Sequence, residues 1–247
     1  TGYGIYIAGS NVTIQNGFIT KAASPGVYAA GSMGIYAIGT VNGAGVAPTK
    51  ITNLRFMNLN VSGFGHTGIN ILYASDVLVT GCYISTCGYC GVTGLSVDKM
   101  IVQVCTVDGL TGETSSGNAY GITFTSVTDA DLVRYPVSED CLASSNIVKN
   151  VPSWHGIDTH AGERIVFEGN TVSNCRRGII LTYHPSAGPT DCRVINNVIQ
   201  TDLTGTNAFG ADAVGDGIWD IGATGALATR NIISNNNVYQ HGSKITS

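Results

Sequence analysis

Within the stretch Trp154-His155-Gly156-Ile157-Asp158-Thr159-His160, two imidazoles and one carboxylate stand inside six positions. Only 11% of the chain is charged, so such a concentration of titratable groups is unusual here. Imidazole and carboxylate side by side suit proton transfer, because the acid can orient the ring and the ring titrates near neutrality. Alternation along a strand turns Ile157 and Thr159 inward and Asp158 and His160 outward onto one surface. A metal could use the same three side chains, but the spacing fixes no further partner, and no metal or cofactor is expected.

The elements that must position these groups are legible as a repeat. Gly4, Gly34, Gly68, Gly91, Gly121, Gly156, Gly178 and Gly217 are each followed by Ile or Val, at intervals of 22 to 39 residues. A second short apolar segment follows most anchors, as in Asn11-Val12-Thr13-Ile14, Asp76-Val77-Leu78-Val79 and Arg164-Ile165-Val166-Phe167. Short strands with period-two alternation and frequent turns, repeated at a nearly fixed length, predict an all-β solenoid. About eight coils of three short strands describe a parallel β-helix, right-handed by the rule for parallel crossovers. Residues 1–247 then form one domain, and because the chain starts inside the repeat it reads as a fragment or processed part of a longer one.

Stacking turns aligned positions into columns. Two places past each anchor stand Tyr6, Tyr36, Asn70, Thr93, Thr123, Asp158, Ile180 and Trp219, and just before it Tyr3, Met33, Thr67, Cys90, Tyr120, His155, Arg177 and Asp216. Coil six thus gathers Asp158, His160 and His155, with Tyr120 one coil below and Arg177 one coil above. Abstraction of the C5 proton of a uronic acid needs this set: Arg177 to neutralise the sugar carboxylate, His160 or His155 as base, Tyr120 as acid, and Asp158 to hold an imidazole. Thr123, Thr125, Thr182, Tyr183, His184 and Trp219 are the expected substrate contacts around them.

Composition narrows the partners. A net charge of −4 leaves no basic footprint for nucleic acid, and no apolar run is long enough to span a membrane. The seven cysteines are read as small buried hydrophobes, since Cys82 and Cys105 occupy the repeat position that Asn170 holds, and Cys87 matches Cys175. Asn16, Asn58, Asn150, Asn170, Asn197 and Asn236 are read as one structural turn, left-handed and laddered. Insertions at 21–33, 39–49, 110–117, 126–140, 183–190 and 202–216 are the loops that carry binding. Those at 126–140 and 202–216 bring Asp129, Asp131, Arg134, Tyr135, Glu139, Asp140, Asp212 and Asp216 near the site in sequence.

The run His155-Gly156-Ile157-Asp158-Thr159-His160, followed by Gly169-Asn170-Thr171-Val172 and Gly178-Ile179-Ile180, resembles the catalytic coil of mannuronan C5-epimerases. His155 stands where that family has Tyr, and Thr159 where it has Pro. The resemblance implies a pectin-lyase-like right-handed parallel β-helix acting as lyase or C5-epimerase on a uronate glycan such as alginate, with Asp158 and His160 catalytic. The repeat also resembles phage tailspikes and capsule depolymerases. That resemblance implies an extracellular or virion-associated protein, a polysaccharide partner, a possible homotrimer, and a glycoside hydrolase using Asp158 with Asp212, Asp216 or Glu163. A noncatalytic spike or adhesin would instead use Tyr6, Tyr36 and Trp219 as sugar platforms.

Overall fold

Each anchor glycine is explained by the next one up. A Cβ on Gly4 would lie 2.7 Å from the carbonyl oxygen of Gly34, on Gly68 2.9 Å from that of Gly91, and on Gly156 2.8 Å from that of Gly178. A column of glycines therefore lets successive coils approach along one line, and a side chain on any of them would push two coils apart.

The computed structural model describes residues 2–21, 27–128, 130–210 and 214–239. Among the described residues, twenty strands hydrogen-bond into one wound sheet, and every strand-to-strand pairing is parallel. The chain is an all-β parallel β-helix, and the anchors predict its register. Ile5 pairs Ile35, Ile35 pairs Ile69, Ile69 pairs Val92, Val92 pairs Ile122, Ile122 pairs Ile157, Ile157 pairs Ile179 and Ile179 pairs Ile218. Eight rungs follow, from Gly2–Ile7 to Ile218–Asp220. No helix among the described residues is long and apolar enough to cross a membrane.

The core runs down the solenoid axis, with Phe56, Phe124 and Phe167 fully buried and Phe124 stacked on Phe167 at 6.2 Å. All seven cysteines are free and buried, as their repeat positions imply. Cys82 and Cys105 share one column with the asparagines, each thiol turned to a carbonyl of the coil below, Phe56 and Val79 respectively. From Asn146 the same column becomes an amide ladder. Each Nδ2 donates to a carbonyl below (Val102, Ala143, Phe167) and to the next Oδ1 above, and that Oδ1 also accepts a backbone N–H.

The expectation of a single asparagine turn is corrected. Asn170, Asn197 and Asn236 belong to this buried ladder, with Asn146 as a further member, and none has a positive φ. Asn16, Asn58 and Asn150 occupy a different, exposed turn with φ of 58°, 54° and 60°, where Asn tolerates the left-handed backbone. Two turns of a coil both select Asn, for different physical reasons: one uses the amide in both directions, the other the backbone freedom.

Candidate functional site: a buried carboxylate behind an imidazole-lined cleft

The strands Thr67–Leu72, Cys90–Leu95, Tyr120–Thr125, Ile147–His160 and Thr171–Thr182 stack in register and present one outer face. Along it Asn70 pairs Thr93, Thr93 pairs Thr123, Thr123 pairs Asp158, and Asp158 pairs Ile180, as the column reading requires. The neighbouring column runs Cys90, Tyr120, His155, Arg177.

Asp158 leaves the sheet on its outer face, yet it is 0% exposed. Here the expectation of an outward, solvent-facing carboxylate is corrected. Strand alternation gives the direction of a side chain but not its cover, and Asp158 is covered by the rings that it binds. Its Oδ2 receives His155 Nδ1 at 2.8 Å and His160 Nε2 at 3.0 Å, while Oδ1 is buried with no hydrogen-bond partner. Burial pushes the carboxyl up, but the two imidazoles more than offset this and hold it well below the usual carboxylate range.

Arg177 settles which nitrogen of His155 carries the proton. Its Nη1 faces His155 Nε2 at 3.3 Å. A guanidinium can only donate, so Nε2 accepts and the proton sits on Nδ1, directed at Asp158. Burial lowers the basicity of His155, which keeps the ring neutral. The three donor atoms of His155, Asp158 and His160 lie within 4.8 Å of one another, a spacing that a metal ion could use. The protonated Nδ1 is then not a free ligand atom, so the tautomer imposed by Arg177 fits a hydrogen-bonded relay rather than a coordination site.

Arg177, expected to neutralise a sugar carboxylate, is held against His155 and is not among the residues that line the cleft described below. It lies between Trp154 at 4.8 Å and Trp219 at 4.7 Å, with Asp216 at 3.8 Å. Trp154 in turn stacks on His155 at 4.9 Å.

On the other side of His160 opens a cleft of about 310 Å³. His66, Asn70, Tyr89, Thr93, Tyr120, Thr123, Thr125, Ser126, His160 and His184 are among the residues that line it. Of the residues expected at the site, His160, Tyr120, Thr123, Thr125 and His184 come together here. Thr182, Tyr183 and Trp219 are not in the lining, although Thr182 pairs with His160 in the sheet. Thr125 Oγ1 is 2.9 Å from His184 Nε2, and the ring of Tyr120 meets that of His160 edge-on at 5.8 Å. Burial, reinforced by the charge of Asp158, pushes the Tyr120 phenol far above its ordinary range, so it stays protonated. Four polar atoms of the lining, Asn70 Oδ1, Thr93 Oγ1, Thr123 Oγ1 and Ser126 Oγ, are buried without a protein partner. Such atoms carry a desolvation cost that a hydroxyl-rich ligand would relieve.

His66, Tyr89, Asn70 and Thr93 were not singled out from the sequence. The first two stand two places before the anchors Gly68 and Gly91, a column that also holds Trp154 and Arg176. Reading that column beside the other two would have found the far wall of the cleft. None of the lining residues is Lys, Arg, Asp or Glu among the described residues.

The acidic loops contribute less than their sequence suggests. Asp129 and Asp212 lie outside the described residues. Asp131 binds backbone N–H groups of Gly45, Val133 and Arg134 on the surface. Glu139, Asp140 and Glu163 are gathered by Arg164. Among the described residues, the loop 126–140 brings Ser126 and Val127 to the cleft, and the loop 202–216 sets Asp216 against Arg177.

Solved structures with this winding include the tailspike protein of Escherichia coli bacteriophage HK620 in complex with pentasaccharide. It is similar over 96% of this chain and 39% of its own, at 15% identity and a TM-score of 0.60. A mutant of the same tailspike, also with pentasaccharide, is similar over 97% of this chain and 43% of its own, at 15% identity and a TM-score of 0.57. The chain therefore spans about two fifths of the tailspike chains that it matches, and at this identity the likeness concerns the fold. No curated protein matches the sequence. The model of the right handed beta helix region matches residues 3–199, most of the chain, and the protein belongs to that family.

Proposed function

We propose that this protein is a polysaccharide-active β-helix of tailspike type, which binds a glycan along the cleft and breaks it by proton transfer at His160. One observation carries the reading: the imidazole that opens onto the cleft is backed by a buried carboxylate, beside a lining of polar atoms that lack protein partners. His160 Nε2–H donates to Asp158, which leaves the Nδ1 lone pair to take a proton. Asp158 touches no substrate on this account. It is a positioning residue for His160, and His155 and Arg177 position Asp158.

Elimination from a uronate fits this pair: His160 takes the C5 proton, the C4–O bond breaks as the C4–C5 double bond forms, and the Tyr120 phenol protonates the leaving oxygen. Hydrolysis is the second reading, favoured by the lack of any Lys or Arg in the lining to neutralise a uronate carboxylate. A two-carboxylate hydrolase needs its acids about 5–9.5 Å apart across the scissile bond. Of the residues considered, Asp158 is buried, Asp216 lies against Arg177, Glu163 lies against Arg164 and Asp212 is outside the described residues, so on this reading His160 activates the water.

The pentasaccharide-bound tailspikes support a glycan ligand and virion association. Assembly as a homotrimer belongs to the same reading, and it is supported by exposed Phe18, Tyr83 and Ile147, which fall in one column of an outer face. The test is incubation with a panel of bacterial O-antigen and capsular polysaccharides, alginate and polygalacturonate. Absorbance near 235 nm reports elimination, and new reducing ends without it report hydrolysis. His160→Ala is expected to lower turnover at least about a hundredfold. Binding without turnover by the wild-type protein would reduce it to an adhesin, and full activity in His160→Ala would remove the cleft from the account.

A further inference from the structure

The sheet face that carries the cleft continues beyond its lining. The cleft lining is drawn from successive coils, His66 and Asn70, then Tyr89 and Thr93, then Tyr120 and Thr123, then His160, then His184, so its long direction is the solenoid axis. An extended ligand must lie across the coils. Asn70 closes the lining toward the first coils, and the column continues past it without a break, because Asn70 pairs with Tyr36 and Tyr36 with Tyr6.

On those two coils the face changes character. Tyr3 and Tyr36 stack with ring centroids 4.7 Å apart at 26°, Tyr3 and Tyr6 at 5.7 Å and 27°, and Tyr6 and Tyr36 at 5.8 Å and 44°. Tyr3 is 47% and Tyr6 57% exposed, so these rings are not core. Asn70 joins the two regions: its Nδ2 contacts Met33 Sδ at 3.2 Å beside the tyrosines, while its Oδ1 is buried in the cleft lining without a partner.

Resting on the cleft being a glycan site, we propose that Tyr3, Tyr6 and Tyr36 form a distal subsite on which the same polysaccharide chain continues, its sugar faces stacked on the rings. Aromatic faces that are rigid, half-exposed and equipped with a hydroxyl offer a pyranose both its apolar C–H face and a hydrogen bond. Coils stack about 4.8 Å apart, so from Tyr6 in the first coil to His160 in the sixth a ligand spans about 24 Å. The reacting bond lies at one end of that span and the platform at the other. The platform therefore discriminates by length: a short oligosaccharide fills the cleft alone, and a long one gains the tyrosines as well.

The experiment uses size-fractionated fragments, trisaccharide to octasaccharide, of whichever panel polysaccharide the wild-type protein binds. Affinity is read by calorimetry and turnover by product release, for wild type, Tyr6→Ala, Tyr3→Ala and His160→Ala. Affinity of the wild type is expected to rise with length, and Tyr6→Ala to weaken octasaccharide binding about tenfold while leaving the trisaccharide unchanged. Tyr3→Ala should do the same to a smaller degree, with melting temperatures kept, since both rings are largely exposed. His160→Ala should lose turnover and keep the full length dependence. If the tyrosine variants weaken short and long fragments equally, or neither, the distal subsite is overturned while the cleft stands. If no fragment of any length binds the wild type, the cleft reading itself fails and takes the subsite with it.

Discussion

The amide ladder at Asn146, Asn170 and Asn197 and the carboxylate at Asp158 are both polar groups hidden in the same solenoid, 1%, 1%, 0% and 0% exposed. In the ladder every amide atom is used, and each coil repeats the bonds of the coil below. At Asp158 nothing repeats. Its column neighbours are Thr123 and Ile180, one carboxylate oxygen takes two imidazoles, and the other has no partner. A polar side chain that recurs and is satisfied is part of the scaffold, whereas a charge that occurs once and is left partly unsatisfied is not something the scaffold requires.

The contrast can be broken from either side. The largest effect expected is the loss of turnover in His160→Ala, with the fold intact. Next is Asn170→Ala, which leaves the Asn146 backbone N–H and the Ala143 carbonyl without their side-chain partners. It should cost about 2–4 kcal/mol in denaturant unfolding. Activity per folded molecule should be retained, since the ladder touches no cleft residue. A fall in activity greater than the folded fraction explains would show that the two regions are coupled.

A smaller effect separates them by pH. His155 is buried and its basicity is lowered from the ordinary 6.5. The unfolded chain takes up a proton below that pH which the folded chain refuses, so stability is full above about pH 6.5 and declines as the pH drops through the histidine range. Asp158, held below its ordinary range, adds a further loss only at much stronger acidity. Unfolding midpoints at about pH 7.5 and pH 5 should therefore differ less in His155→Gln than in the wild type. Asn170→Ala should shift both midpoints and leave their difference unchanged.

The register of the solenoid was legible because each coil marks itself with a Gly before a branched residue, and those glycines are where the coils touch. From that register the neighbours of Asp158 could be listed, Tyr120 below His155 and Arg177 above it, and the structure has them there. What the sequence could not show was depth. Whether Arg177 faces a sugar or the back of His155 depends on Trp154 and Trp219 closing around its guanidinium, a packing choice that leaves no local pattern. The acidic loops misled for the same reason: carboxylates near in sequence were taken up by Arg164 and Arg177, and the cleft lining holds no Lys, Arg, Asp or Glu among the described residues. The asparagines show the limit from the other direction, since one residue type served two turns that spacing alone did not separate.

The most direct measurement is kcat/KM and unfolding stability of Asp158→Asn, taken together on the panel polysaccharide that the wild type degrades. If the carboxylate exists to orient His160, turnover falls at least about a hundredfold, beyond the loss of stability that follows from neutralising a carboxylate held by two imidazoles. Turnover close to that of the wild type, or a loss of activity explained wholly by unfolding, would contradict the account.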